Sequence, residues 1–244
     1  MSNCNKVGEQ MTETNSSKSK KFKDMFIKMA PTIKNFVVHR FDDMEEFKRF
    51  TLAAIIDEKK SISDRFDRDT KDLSEEQKQE YFDWNSEDYF MVEDVFTQIS
   101  LRSFVVILFS YIEDGMNTLC NVVYSDKARY QKKKGLEKFN VKYTDMQGKG
   151  INRAKLYLEK VIGCNLHTEK KPWSEIETLR KIRNAIVHED GNANDSLKND
   201  SNFKHHLIDG KFKLENHGQI IIDPEYLDYI LPQVREYFGG IELK

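Results

Sequence analysis

The chain contains little glycine and proline, with 11 Gly and 4 Pro among 244 residues. Sandwiches and barrels connect many short strands by tight turns, which depend on these two residue types. Their scarcity argues against such folds. The apolar content of 39% and the charged content of 33% suit amphipathic helices with solvated outer faces. The composition therefore predicts an all-α protein, in one large domain or one domain with an added lobe.

Cysteine is also sparse, and the three residues present (Cys4, Cys120 and Cys164) are far apart in the sequence. An odd number at such spacing matches neither a zinc site nor a disulfide framework. Walker and dinucleotide-binding glycine patterns are missing as well. We therefore predict no metal and no cofactor, and we expect a reducing, cytoplasmic compartment.

The sequence has no large excess of charge and no long apolar run. The net charge is −2 and the pI about 6.3, so any contact with nucleic acid must depend on a local basic patch. The most apolar run, Phe104 to Phe109, is far shorter than the roughly 20 residues that span a bilayer. Since Glu113 and Asp114 interrupt its extension, it predicts a core helix and no membrane contact.

Composition and pattern divide the chain into three parts. Residues 1–20 are rich in Ser, Asn, Lys and Glu and predict a disordered tail. Residues 21–85 predict a helical extension, and residues 86–244 a helical domain. Within that domain, two short apolar strands around Asn216-His217-Gly218 predict a small β-hairpin at about residues 211–222.

Several helices can be predicted from their periodicity and end signals. Between them, the charged stretch 57–71 predicts a solvated connection or helix end, and the basic stretch 126–148 an irregular exposed segment. Gly115 lies inside the longest apolar helix, where close packing of a neighbouring element would explain it. The predicted helices cover residues 44–60, a short helix capped by Ser74, residues 85–124, residues 150–162 ending at Gly163, residues 174–188 and the segment after Asp223-Pro224.

The helix predicted to begin at a Ser174 capping box carries the polar residues of greatest interest. At about 100° per residue, Arg183 falls inside a broad apolar arc that is expected to face the core. A guanidinium buried there needs a carboxylate, a phosphate or a partner chain. Arg180, Asn184 and His188 are spaced four apart and form a polar ridge beside it. The predicted apolar arc consists of Ile176, Leu179, Ile182, Ile186 and Val187.

These residues also have a purely structural interpretation. Surface helices often carry Arg, Asn and His, and a histidine at the end of a helix interacts favourably with the helix dipole. From the residues alone, a structural and a functional role both remain open.

The segment Leu179 to His188 resembles the signature of the HEPN superfamily, in which an Arg is followed after four to six residues by a His, frequently with Asn after the Arg. Arg183, Asn184 and His188 match that motif at the four-residue spacing. The resemblance covers about residue 90 to the end of the chain. It leaves residues 1–85 and the hairpin unexplained, and it does not identify a subfamily.

The resemblance implies a HEPN-like helical bundle that forms a homodimer, with two Arg/His motifs at one composite site. Many members are metal-independent endoribonucleases that act on RNA, in settings such as phage defence or as toxins with an antitoxin or operon partner. Arg183 and His188 are then the catalytic pair, supported by Asn184. Glu113 is predicted to orient Arg183, with Asp114 as the second choice, and Arg180 to assist.

Two alternatives belong to other functional classes. One is a non-catalytic HEPN module that binds a nucleotide or a protein partner, and the other is a helical interaction protein unrelated to HEPN. The intact motif from Arg183 to His188 favours the enzyme. The slightly acidic pI and the lack of a dedicated RNA-binding domain favour the non-catalytic module.

Overall fold

The computed structural model describes residues 4–133, 141–215 and 218–243 and is 78% helical and 6% strand. The prediction of an all-α protein with a small hairpin near the C-terminus is confirmed. The α-helices are α1 (Cys4–Asp69), α2 (Glu75–Phe90), α3 (Thr97–Lys133), α4 (Gly150–Tyr157), α5 (Lys171–His188), α6 (Asp195–Lys198), α7 (Ser201–Ile208) and α8 (Glu225–Gly240).

Short non-α helical turns and two small sheets complete the fold. A π-helical turn, Met91–Phe96, joins α2 to α3, and another, Leu158–Ile162, extends α4 to Gly163. Strands β2 (Phe212–Leu214) and β3 (Ile220–Ile222) form the predicted antiparallel hairpin, whose turn residues 216–217 lie outside the described residues. Strand β1 (Cys164–Asn165) pairs antiparallel with β4 (Glu242–Leu243). A 3-10 turn covers Tyr143–Asp145.

The chain forms two compact units, each assembled from separated stretches. The first, unit 1, contains residues 1–40, 111–170 and 235–244, and the second, unit 2, contains residues 41–110 and 171–234. Helices α1, α3 and α8 contribute residues to both units. Neither unit coincides with the predicted division at residue 85.

In unit 1, the core confirms the explanation expected for Gly115. A β-carbon on this residue would lie 3.0 Å from the Phe238 ring and 3.0 Å from the Val37 side chain. Only a residue without a side chain allows α8 and α1 to pack this closely on α3. Gly163, with φ of +85°, ends the helical segment that begins at Gly150, as predicted.

In unit 2, the core packs α3, α5 and α8 against the hairpin and the end of α1. The α3 residues of this core are buried, whereas no residue of α2 is more than half-buried. By length and hydropathy the helical stretch Glu75–Ser125 could cross a membrane, but core helices pass the same test. The buried α3 residues of unit 2 are Leu101, Phe104, Val105, Leu108 and Phe109.

Several predicted boundaries were wrong because helices extend further than their apolar patterns. Helix α1 continues through the charged stretch to Asp69, and α3 continues to Lys133 inside the segment predicted to be irregular. Helix α1 also begins at Cys4, so residues 4–20 are helical where composition predicted a disordered tail. Lys, Glu, Gln and Met are good helix formers, so a polar stretch can continue a helix without an apolar face.

Candidate functional site

Helix α5, which carries the predicted site, begins three residues earlier than its sequence suggested. It starts at Lys171, and the Ser174 hydroxyl donates a hydrogen bond to the Lys171 carbonyl at 2.8 Å. The predicted capping box at Ser174 is therefore wrong. Pro172 lies in the first turn, where its missing N–H costs nothing because those donors have no partner within the helix.

The buried face of α5 includes two polar side chains that the apolar pattern did not predict. Glu175 is 1% exposed, and it accepts a hydrogen bond from the Tyr229 hydroxyl at 2.6 Å. Its other oxygen lies 2.9 Å from Nε2 of His206, which is 3% exposed. Burial is the larger cause of a raised pKa at the Tyr229 hydroxyl, and the hydrogen bond to Glu175 is the second cause. Because of this cluster of Glu175, His206 and Tyr229, the buried face of α5 includes Glu175, which the predicted apolar arc did not.

The buried face of α5 therefore differs from the predicted apolar arc. Ile182 and Ala185 are buried as core residues, but Ile186 is only half-buried and Val187 is 46% exposed. Arg183 is half-buried, with its Nε buried and its guanidinium 5.9 Å from the centre of the buried Phe109 ring. The physical reason is that Glu175 and Thr178 are themselves buried and have hydrogen-bond partners there, so they occupy part of the buried face that the arc assigned to aliphatic side chains.

The Asp200 carboxylate forms hydrogen bonds with both α5 and α7. Its carboxylate accepts the Thr178 hydroxyl at 2.8 Å and the Lys181 ammonium at 2.7 Å, and it caps the N-terminus of α7. Burial by itself would raise the pKa of Asp200. The hydrogen bonds from Lys181, the Phe203 backbone N–H and Thr178 outweigh burial, so the pKa lies below its usual value.

The substitution Asp200→Asn tests this arrangement through its pH dependence. It is expected to lower the free energy of unfolding by about 1–2 kcal/mol at pH 7, because it removes a charge-assisted pair. A depressed pKa means that the stabilisation is present above the unfolded pKa of about 3.9 and is lost as pH falls through the folded value. In urea titrations the difference from wild type should therefore vanish in strong acid. Asp195→Asn, at an exposed position in α6, is the control, and an equal loss there would contradict the assignment.

The C-terminal end of α5 is held by a tight left-handed turn. Asp190 and Gly191 have φ values of +54° and +79°, and the Gly191 N–H donates to the Ala185 carbonyl at 2.9 Å. A β-carbon on Gly191 would lie 3.1 Å from the Arg102 guanidinium. Arg102 in turn donates to the Ile220 carbonyl of β3 at 3.0 Å. The hairpin and α3 thus fix the end of α5 where His188 lies.

His188 is the last residue of α5 and is exposed. Within the described part of the chain it makes no hydrogen bond or ion pair. Its ring is therefore available to a ligand.

Arg183 and Asn184 contact each other. The Arg183 guanidinium donates to the Asn184 side-chain oxygen at 3.1 Å and lies 5.9 Å from the centre of the Phe109 ring. Its Nε is buried and has no hydrogen-bond partner in the described ranges of the chain. Among the described residues of its own unit, no carboxylate forms an ion pair with it. Several of its N–H groups remain for a phosphate or another anion.

The residues predicted to support Arg183 have other contacts. Asp114 forms an ion pair with Arg40. The Glu113 carboxylate packs against Gly150, and one of its oxygens would lie 2.5 Å from a β-carbon placed on that residue. All four residues belong to unit 1. Arg180 pairs with Glu177 at 2.8 Å on α5 itself. That Glu113 orients Arg183 stays a prediction, because Glu113 and Arg183 belong to different units.

Sequence reasoning missed Arg102 as a neighbour of the α5 end. The only relevant pattern was Gly191, whose positive φ and missing side chain leave room for a guanidinium. That an arginine from α3 fills this space depends on tertiary packing.

No group of three or more His, Cys, Asp or Glu side chains able to hold a metal occurs among the described residues. Comparison with protein-family models, curated proteins and solved structures found no significant match to this chain. The assignment of function therefore depends on the chemistry of the site and on the motif that resembles HEPN.

Proposed function

We propose that this protein is a metal-independent endoribonuclease of the HEPN type, with Arg183 and His188 as the catalytic pair and Asn184 in support. The observation that carries the proposal is the imidazole of His188, which is exposed at the end of α5 and has no partner among the residues that the structure describes. The same helix carries the half-buried Arg183, whose guanidinium forms no ion pair within the described part of its unit. An acid–base group and an anion-binding group thus lie within five residues.

The proposed reaction uses the RNA's own 2′-hydroxyl as nucleophile. His188 accepts its proton while the 2′-oxygen bonds to phosphorus. The bond from phosphorus to the 5′-oxygen breaks, and that oxygen leaves with a proton from an imidazolium. Arg183 binds the phosphate oxygens and stabilises the charge that develops in the transition state. Asn184 holds the guanidinium through its hydrogen bond.

A two-fold dimer would complete the site. Arg183 and His188 are five residues apart, so they point about 140° apart around α5. A second copy related by a nearby two-fold axis would bring another Arg and His into reach. The half-buried Ile186 and the 46% exposed Val187 lie on the same helix and supply an apolar contact surface.

The cellular setting is part of the proposal. Cys120 and Cys164 are buried and form no disulfide within the described part of the chain, and burial raises the pKa of Cys120 to about 12. Buried thiols that are not joined in disulfides fit a reducing, cytoplasmic compartment. A role in phage defence or as a toxin held by an antitoxin would account for a ribonuclease there.

The test is RNA cleavage by the purified full-length chain in the presence of EDTA. We expect cleavage to continue, with products that carry 2′,3′-cyclic phosphate and 5′-hydroxyl ends. DNA of the same sequence should remain intact, because it lacks the 2′-hydroxyl. Light scattering of the same sample should give twice the chain mass of 28.8 kDa.

Other outcomes would indicate another active site or another function. Cleavage that stops in EDTA, cleavage of DNA, or 3′-hydroxyl products would contradict the proposed chemistry. Inactivity of a folded dimer on varied RNAs would favour the non-catalytic module that binds a nucleotide or a protein.

A further inference from the structure

Helix α2 is a helix of 16 residues in which no residue is buried. It nevertheless carries five aromatic side chains, and the most exposed of the apolar ones is Trp84 at 87%. Helices in proteins are stabilised mainly by packing of an apolar face, so a helix whose aromatic side chains stay this exposed is only partly packed within the described part of the chain. The five aromatic residues are Tyr81, Phe82, Trp84, Tyr89 and Phe90.

One face of α2 and the C-terminal part of α1 enclose an apolar groove within unit 2. The groove holds a cavity of about 150 Å³. The Phe66 ring packs edge-on against Tyr81 at 5.9 Å and Phe82 at 6.0 Å between ring centres. A cavity of this volume accepts a group the size of benzene, and hence one large apolar side chain. The cavity lining includes Ile62, Arg65, Phe66, Tyr81, Phe82 and Tyr89, and Arg65 is the residue of this set whose charge is paired with Asp88.

Hydrogen bonds and an ion pair hold the walls of the groove in place. Arg65 of α1 forms an ion pair with Asp88 of α2 at 2.7 Å. The Tyr81 hydroxyl donates to the Asp69 carboxylate at 2.9 Å. The groove is therefore formed before a ligand binds, which lowers the entropic cost of binding.

The charge around the groove is strongly negative. Residues 62–94 contain 12 Asp or Glu against 4 Lys or Arg, a net charge of −8, although the whole chain has only −2. Such a surface repels the phosphates of RNA and of anionic lipids, and it attracts basic groups. The charge therefore favours a polypeptide partner and argues against RNA.

We propose that the α1–α2 groove binds a basic amphipathic segment of another protein. One large apolar side chain of that segment enters the cavity between Phe66, Phe82 and Tyr89. Its Lys and Arg residues face the surrounding carboxylates. The surface is separate from the residues assigned to RNA cleavage, so the proposal does not depend on the proposed function.

The test is fluorescence anisotropy of the full-length chain with a labelled helical peptide of leucine and lysine. Binding should weaken in ~0.5 M NaCl, where exposed charges are screened. Matched peptides with Glu in place of Lys, or Ser in place of Leu, should not bind. The Phe82→Ala and Tyr89→Ala variants should each weaken binding about tenfold, because each removes part of the cavity wall.

Trp84→Ala is the matched control. Trp84 is the more exposed aromatic of the same helix, two residues from Phe82 and outside the cavity lining, so its replacement should leave peptide affinity unchanged. Equal loss in Trp84→Ala and Phe82→Ala, equal binding of the Lys and Glu peptides, or no binding at all would overturn the proposal.

Other occupants give distinct results. If a second copy of the chain fills the groove, Phe82→Ala should lower the mass measured by light scattering without peptide. Displacement of the peptide by an RNA oligonucleotide, or by phosphatidylcholine vesicles, would assign the groove to those ligands. Each of these results would refute a basic protein partner.

Discussion

Replacement of His188 by alanine is expected to lower the rate of RNA cleavage by about 10²- to 10⁴-fold, the range that positioned acid–base groups contribute. The loss should appear in kcat, because the imidazole moves a proton in the transition state. Folding should be unaffected, since the side chain is exposed at the end of α5. Cleavage assays on one defined RNA, with circular dichroism of the same samples, measure both effects.

His205→Ala is the matched control for this experiment. His205 is also exposed on a helix of unit 2, where its Nδ1 lies 2.7 Å from the Ser201 carbonyl. Its replacement should leave cleavage unchanged. If His188→Ala and the wild type cleave RNA at the same rate, His188 has no part in the chemistry, and the motif is structural.

Replacement of Glu175 by alanine is expected to lower the free energy of unfolding by about 3–5 kcal/mol. The buried Glu175 carboxylate is the hydrogen-bond partner of both the buried His206 and the half-buried Tyr229 hydroxyl. Its removal leaves both groups without this partner, and also leaves a cavity. Thermal unfolding followed by circular dichroism should show a Tm lower by about 10 °C.

Two further variants test whether the loss of stability comes from the hydrogen bonds of Glu175 or from the removal of any glutamate. Glu175→Gln keeps an acceptor for one partner and should cost less than Glu175→Ala. Glu46→Ala removes an exposed ion pair with Arg49 on α1 and should cost under about 1 kcal/mol. A Glu175→Ala variant within 1 kcal/mol of wild type would show that the cluster contributes little to stability.

Local signals in the sequence predicted those features that depend on neighbouring residues. Ser74 and Gln77 form the predicted reciprocal cap of α2, with hydrogen bonds at 3.3 and 3.0 Å. Gly163 ends its helix because only glycine adopts a positive φ without strain. The hairpin strands also pair as predicted, since alternating apolar residues beside turn-forming residues specify a local antiparallel contact.

The orientation of α5 could not be predicted in the same way. The predicted arc was purely aliphatic apart from Arg183, but partners from distant segments (His206, Tyr229 and Asp200) bury Glu175 and Thr178 on the same helix. Hydrophobic periodicity counts aliphatic residues and assigns polar ones to solvent, so it cannot anticipate a polar residue whose partner is 20 or more positions away.

The sequence by itself determined the helical composition, the caps and turns, and the Arg183–Asn184–His188 spacing, because each depends on residues within a few positions of one another. Tertiary structure decided which side of α5 is buried, placed Arg102 beside Gly191, and left the aromatic face of α2 uncovered. These outcomes follow from packing and from hydrogen bonds between segments far apart in the chain. Such contacts have no fixed spacing in a single sequence, so no local pattern encodes them.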